Sequence, residues 1–228
     1  MMTGPSAADG HGCPLPPADF ANAKIPVYEL NLSVTNLYRI HRRIHGPIFY
    51  NRRSASSAVY RFDAPNDEYG VLYASPSFDA CMAETIMRDR YHGVSAKAAH
   101  IIDEAEITNR AVAVLGIETA RPLRLADLTV PLWQIGLDTR VLSVADYTAP
   151  NMWSYAIHDN HQQFDGIYFR SRYANEVSVA IFGDRAQLVP RGASIPLLQH
   201  PDLPGFLDRF EIGVADPNGT YWQADDSE

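Results

Sequence analysis

Six short runs of β-branched and aromatic residues, NLYRIH, AVYRF, GVLYA, RAVAVL, DGIYF and VSVAIF, constrain this chain more than any other feature. Each has the length of a strand, and turn-forming residues separate one from the next. Helical periodicity is confined to SFDACMAETIMRD, opened by the start signal Ser75-Pro76-Ser77, and to APNMWSYAIHDNHQQF. Strands and helices are mixed without a regular strand–helix–strand alternation. The expected fold is therefore α+β with mainly antiparallel pairing, not a doubly wound parallel sheet. With 228 residues, 46% of them hydrophobic, the chain can bury the core of one domain. That domain is expected over residues 27–212. A flexible arm is expected at 1–26, rich in Pro, Gly, Ala and Asp without a hydrophobic period, and a flexible acidic tail at 213–228.

No apolar run approaches the roughly 18 residues that span a bilayer. The opening MMTGPSAADGHGCPLPP lacks the basic and apolar regions of a secretory signal. A cytoplasmic protein with no membrane partner is expected. Cys13 and Cys81 form no disulfide framework and lack zinc-site spacing, and Cys81 is read as a packing residue. His158 and His161 are read as helix decoration, so no metal is expected. Neither a G-x-G-x-x-G nor a G-x-x-x-x-G-K-[ST] fingerprint is present, so a nucleotide would have to be held by side chains.

A net charge of −8 argues against direct nucleic-acid binding, which needs a basic footprint to displace counterions. The charge is unevenly distributed. From Arg39 to Arg61 there are six arginines (Arg39, Arg42, Arg43, Arg52, Arg53, Arg61), two histidines (His41, His45) and no acidic residue. This basic island in an acidic protein suits a small phosphorylated ligand or an acidic partner.

Arg61, at the end of the strand-like run AVYRF, offers a planar fork for phosphate, and Arg39 in LYRIHR is placed to meet it across a sheet. Glu84 lies in DACMAETIM among small and apolar residues. A lone carboxylate there is either a structural ion pair with Arg61 or Arg39, or shares a cleft with them and stabilises positive charge on a ribose. Tyr73 ends GVLYA, where its ring either stacks on a nicotinamide or adenine or packs in the core. Ser171, between Arg170 and Arg172, either hydrogen-bonds a ribose hydroxyl or an amide, or is an ordinary turn residue. It has no G-x-S-x-G elbow and no neighbouring acid, which argues against nucleophilic serine catalysis.

In order and spacing these residues resemble the RES domain, the toxin half of a bacterial toxin–antitoxin family. The matching features are Arg39 in L-Y-R, Arg61 before Phe62, Gly70 to Tyr73, Ala83-Glu84, and Asp165 to Ser171 with Phe182 closing the next apolar strand. The resemblance covers about residues 36–185. Phe62-Asp63 stands where many members carry Trp-Asn, and neither the arm nor the tail has a counterpart. It implies an ADP-ribosyltransferase-like core, a split and mainly antiparallel β-sheet with flanking helices around a cleft for NAD. It further implies cleavage of the nicotinamide–ribose bond of NAD by water or inorganic phosphate, with no cofactor. By carry-over, Arg39 and Arg61 would bind phosphates or orient the ribose, Tyr73 would position nicotinamide, Glu84 would be catalytic and Ser171 would fix the nicotinamide ribose. The implied partner is a helix-turn-helix (Xre-type) antitoxin, with homo-oligomer formation within the complex left open. Alternatives are ADP-ribosyl transfer to a protein and a catalytically silent NAD-binding module.

Overall fold

The computed structural model describes residues 12–215 apart from 57, 92–94, 96–98 and 120. VSVAIF is apolar at four consecutive positions, 179–182, because its strand, β8 (Val177–Phe182), is covered on both faces. It pairs antiparallel with β3 (Val71–Ala74) on one side and with β7 (Gly166–Arg170) on the other. β6 (Leu123–Asp127) then adds parallel to β7, and β1 (Val27–Leu30) adds antiparallel to β6. The result is a five-stranded sheet of order β1-β6-β7-β8-β3. The glycine of DGIYF is dictated by this packing. A Cβ on Gly166 would lie 2.2 Å from the Ala180 carbonyl oxygen.

A second, antiparallel sheet is centred on β5 (Arg110–Ile117). Its neighbours are β2 (Leu37–Arg42), β9 (Leu188–Pro190) and β10 (Ile195–Pro196). A short parallel pair joins β4 (His100–Asp103) to β11 (Ile212–Ala215). The α-helices are α1 (Phe78–Met82), α2 (Glu104–Thr108), α3 (Arg140–Ser143), α4 (Thr148–Asn160) and α5 (Leu203–Arg209).

Strand alternation sorts the apolar side chains into three layers. Leu37, Leu72, Leu115, Leu125, Val179 and Ile181 fill the space between the two sheets. Val71, Ile167, Ala180 and Phe182 point the other way, onto Trp153 and Ile157 of α4. On the outer face of the second sheet, Ile40 and Val112 pack against Phe78, Met82, Ile107 and Phe206. The expected class, α+β with a split and mainly antiparallel core, is the one found.

Three expectations are corrected. The segment 12–26 is not a loose arm over its described part: Cys13, Phe20 and Ile25 are buried, Trp153 Nε1 donates to the Pro14 carbonyl at 2.7 Å, and Phe20 meets the Trp153 ring edge-on at 5.1 Å. Residues 213–215 belong to β11 instead of a free tail. Residues 1–11 and 216–228 lie outside the described residues. AVYRF forms no strand, for reasons given by the site itself. Because Phe20 is 2% exposed, Phe20→Ala is expected to cost about 3 kcal/mol, read as a lower urea midpoint with unchanged slope. A flexible arm would give no change.

Candidate active site

β2 is the edge strand of its sheet, and among the described residues one rung ties it to the other sheet. There Tyr38 N–H donates to the Ser75 carbonyl at 2.7 Å and Ser75 N–H donates back at 3.0 Å. Beyond that rung the sheets part and leave a cleft of about 770 Å³, within the range of small-molecule sites. Arg39, Ile40, His41 and Arg42 all line it, because an edge-on strand flanks a gap with the side chains of both its faces.

The cleft gathers Arg39, Arg61, Tyr73 and Glu84. Arg39 shares the inter-sheet face of β2 with Leu37. Its Nη1 is buried without a hydrogen-bond partner, and desolvation lowers its pKa to about 10. A buried cationic nitrogen left unanswered is costly and calls for an anion.

Arg61 is held by a turn that side chains pin from all sides. Asp63 Oδ2 accepts from Tyr60 N–H at 2.8 Å and from Asn51 Nδ2 at 2.7 Å. Tyr73 hydroxyl donates to Asp63 Oδ1 at 3.1 Å and accepts from Phe62 N–H at 2.8 Å. From α4, Asn151 Nδ2 donates to the carbonyls of Tyr60 and Arg61, both at 2.9 Å, and Ser154 hydroxyl donates to that of Phe62 at 2.7 Å. This network replaces the ladder that AVYRF would need as a strand, so Arg61 reaches the cleft from a turn. Its Nη1 donates to the carbonyls of Val141 and Val144 at 3.0 and 3.1 Å, and its guanidinium lies 4.9 Å over the Tyr147 ring. Burial lowers its pKa.

Tyr73 presents part of its ring to the cleft, while its hydroxyl is committed to the Arg61 turn. Burial, with Asp63 beside it, holds that hydroxyl well above the ordinary tyrosine range. Asp63, 1% exposed, has its own carboxyl raised above the ordinary aspartate value of 3.8 by burial, against the pull of its donors. The folded state therefore favours the protonated form. Stability from this group is full below the ordinary value and lost as pH rises through the raised one. Asp63→Asn is expected to remove that dependence, so its stability relative to wild type should be greater at about pH 7 than at about pH 4 in urea unfolding. Parallel curves would take Asp63 out of the pH response.

Glu84 follows α1 in a wider π turn, Ala83–Met87, of a kind enriched at functional sites. Met82 and Ile86 face the core and Glu84 lies between them on the cleft side. Among the described residues, no hydrogen bond or ion pair engages its carboxylate, so the ion pair with Arg61 or Arg39 does not form, although Glu84 acts electrostatically on Arg61. Four residues on, Arg88 also lines the cleft, from a backbone with φ of 33°. Its guanidinium sits 5.2 Å over Tyr60. Neither Arg88 nor the aromatic wall of Tyr60, Tyr147 and Phe169 was expected from the sequence. The spacing of Arg88 from Glu84, one helical turn, was the available signal.

Ser171 is the expected residue that the structure does not bring to the lining. It is 2% exposed, and its Oγ accepts from the N–H groups of Tyr173 and Ala174 at 3.1 and 3.2 Å, the geometry of a turn. Ser75 and Ser178 line the cleft instead. Cys81 is a packing residue: its Sγ lies 3.2 Å from the Tyr38 carbonyl and burial pushes its thiol up to about 12. His158 stacks on Tyr69 at 4.0 Å with Nε2 2.9 Å from Asp184, and His161 Nε2 lies 3.2 Å from the Phe20 carbonyl, so both imidazoles are engaged in packing.

A family model for the RES domain matches residues 36–201. No curated protein matches the chain in sequence. Among solved structures, the chain is similar to one from the M. tuberculosis MbcT–MbcA toxin–antitoxin complex. The TM-score is 0.57 at 16% identity, covering 79% of this chain and 92% of that one. At that identity the likeness speaks to fold. The family match spans most of the chain and carries the whole cleft from Arg39 to Ser178, and by it the protein belongs to the RES domain family.

Proposed function

We propose that the protein is the toxin of a toxin–antitoxin pair and that it breaks the nicotinamide–ribose bond of NAD. One observation carries the reading: a buried, unanswered arginine nitrogen and an unpaired carboxylate face the same cleft, at Arg39 and Glu84. The first suits a pyrophosphate. The second suits the positive charge that develops on the ribose as the bond breaks.

Nicotinamide departs as a neutral molecule from a cationic precursor, so no general acid is needed. The electron pair of the C1′–N bond leaves with it, and an oxygen of water or inorganic phosphate then bonds to C1′ and sheds its proton to solvent. Arg39 binds the phosphates and Arg61, fixed by Val141 and Val144, orients the same end. Tyr60, Tyr73 and Tyr147 wall the ring-binding part of the cleft. Ser171, held in its own turn, stays outside the cleft lining and makes no ligand contact in this reading. No cofactor enters these steps. An antitoxin with a helix-turn-helix domain is the partner that fits this reading, and a cytoplasmic site follows from the substrate.

The test is nicotinamide release from NAD followed by NMR, with and without inorganic phosphate, using purified antitoxin-free protein. Release is expected, as ADP-ribose in one case or its 1-phosphate in the other. A folded sample that releases none would overturn the reading, and a mass shift on a target protein would redirect it to ADP-ribosyl transfer.

A further inference from the structure

The inner cleft leaves one cationic feature unused. In the β2–β5 register Arg42 stands directly opposite Arg110, and both line the outer end of the cleft. Side chains in such a rung lie on one face with Cβ atoms about 5 Å apart, and like charges there repel. Glu106 answers only part of this. It pairs with Arg110 and is shared with Arg90 at 2.8 Å. Among the described residues, the exposed Arg42 guanidinium has no hydrogen bond or ion pair. A tight turn, with His45 N–H donating to the Arg42 carbonyl at 2.9 Å, adds an exposed imidazole beside it.

Arg42 lies three residues from Arg39, about 10 Å along the strand axis, and projects from the opposite face of this edge strand, so that both faces of β2 contribute charge to the cleft. The cleft thus has two centres of positive charge, an inner one at Arg39 and Arg61 and an outer one at Arg42 and Arg110. The chain as a whole carries −8, so neither reflects a generally basic surface. A pyrophosphate held at the inner centre leaves the outer one to a second, separate phosphate.

We propose that Arg42, Arg110 and His45 form a subsite for a phosphomonoester, and that the dinucleotide this cleft prefers carries an additional phosphate on its adenosine ribose. A dianionic monoester matches the planar forks of two facing arginines, and an arginine near the adenosine ribose is a general means of accepting such a phosphate. The subsite rests on the dinucleotide reading of the inner cleft, so its test uses fragments that cannot turn over.

Calorimetric titration of the full chain with adenosine 2′,5′-bisphosphate and with 5′-AMP is expected to give at least about tenfold tighter binding of the bisphosphate, the worth of one charge-assisted contact. Arg42→Ala and Arg42→Gln should each remove that advantage and leave 5′-AMP binding within about twofold. Because Arg42 is exposed, both variants should fold. In turnover, the same change should raise KM for NADP and leave kcat, and leave NAD cleavage as it was.

Equal affinity for the two fragments, no binding of the bisphosphate, or an equal loss of both in the variants would overturn the subsite. The two readings fail separately. Arg42-dependent bisphosphate binding without nicotinamide release would sink the catalytic reading alone, and NAD cleavage without a bisphosphate preference would sink the subsite alone.

Discussion

Glu84→Gln is expected to fold like the wild type and to release nicotinamide about 10²- to 10³-fold more slowly, the usual cost of removing one electrostatic stabiliser of a transition state. Both halves follow from the same geometry. The carboxylate has no hydrogen bond or ion pair to lose among the described residues, and the amide keeps its shape, so stability should stay within about 0.5 kcal/mol. Only the negative charge disappears, and beyond its modest effect on Arg61 it matters most when the ribose becomes positive. The loss should therefore fall on kcat with little change in KM. NMR turnover paired with a thermal melt reads both quantities. A variant that keeps its rate removes Glu84 from the mechanism, whereas one that loses rate and stability together reassigns it to the scaffold.

Arg39→Met is expected to do the opposite to stability. The Arg39 Nη1 is buried without a partner, and burial, outweighing the neighbouring Tyr50, Cys81 and Tyr60, lowers its pKa to about 10. In the free protein this residue is a strain on the fold. Methionine fills a similar volume without a charge, so the variant should be more stable by about 1 to 2 kcal/mol, a rise of several degrees in Tm. Nucleotide affinity should fall on the order of 10²-fold, because a phosphate would lose charge-assisted hydrogen bonds in a site shielded from water. Denaturant unfolding together with a titration of ADP-ribose separates the effects. A destabilised variant would mean that Arg39 supports the fold through contacts other than those described, and unchanged affinity would end its role as a phosphate ligand.

The sequence revealed strands where burial on two faces leaves a continuous apolar run, as at Val179–Phe182 and Val71–Ala74. It concealed those whose side chains are exposed or whose partners are distant, such as Val27–Leu30, with three of its four residues exposed. Arg39, Arg61, Tyr73 and Glu84 were legible as a group because their chemistry is unusual for apolar surroundings. The turn carrying Arg61 was not, because AVYRF has good strand composition and two of the groups that override it, Asn151 and Ser154, lie far off in the chain. Ser171 shows the reverse error. A family position suggested a ligand, while its Oγ is taken by backbone two and three residues ahead.

The packing of Trp153 on Phe20 and Pro14 also bears on where this protein can be cut. The family match begins at residue 36, but the folded unit reaches back at least to Cys13. A gene fragment trimmed to the family boundary discards β1, which leaves β6 as an unpaired, strand-hungry margin of the sheet. It also strips the cover from Trp153 and its neighbours. Such a fragment carries every residue of the cleft and still lacks one strand of the sheet and one side of the core beneath Trp153.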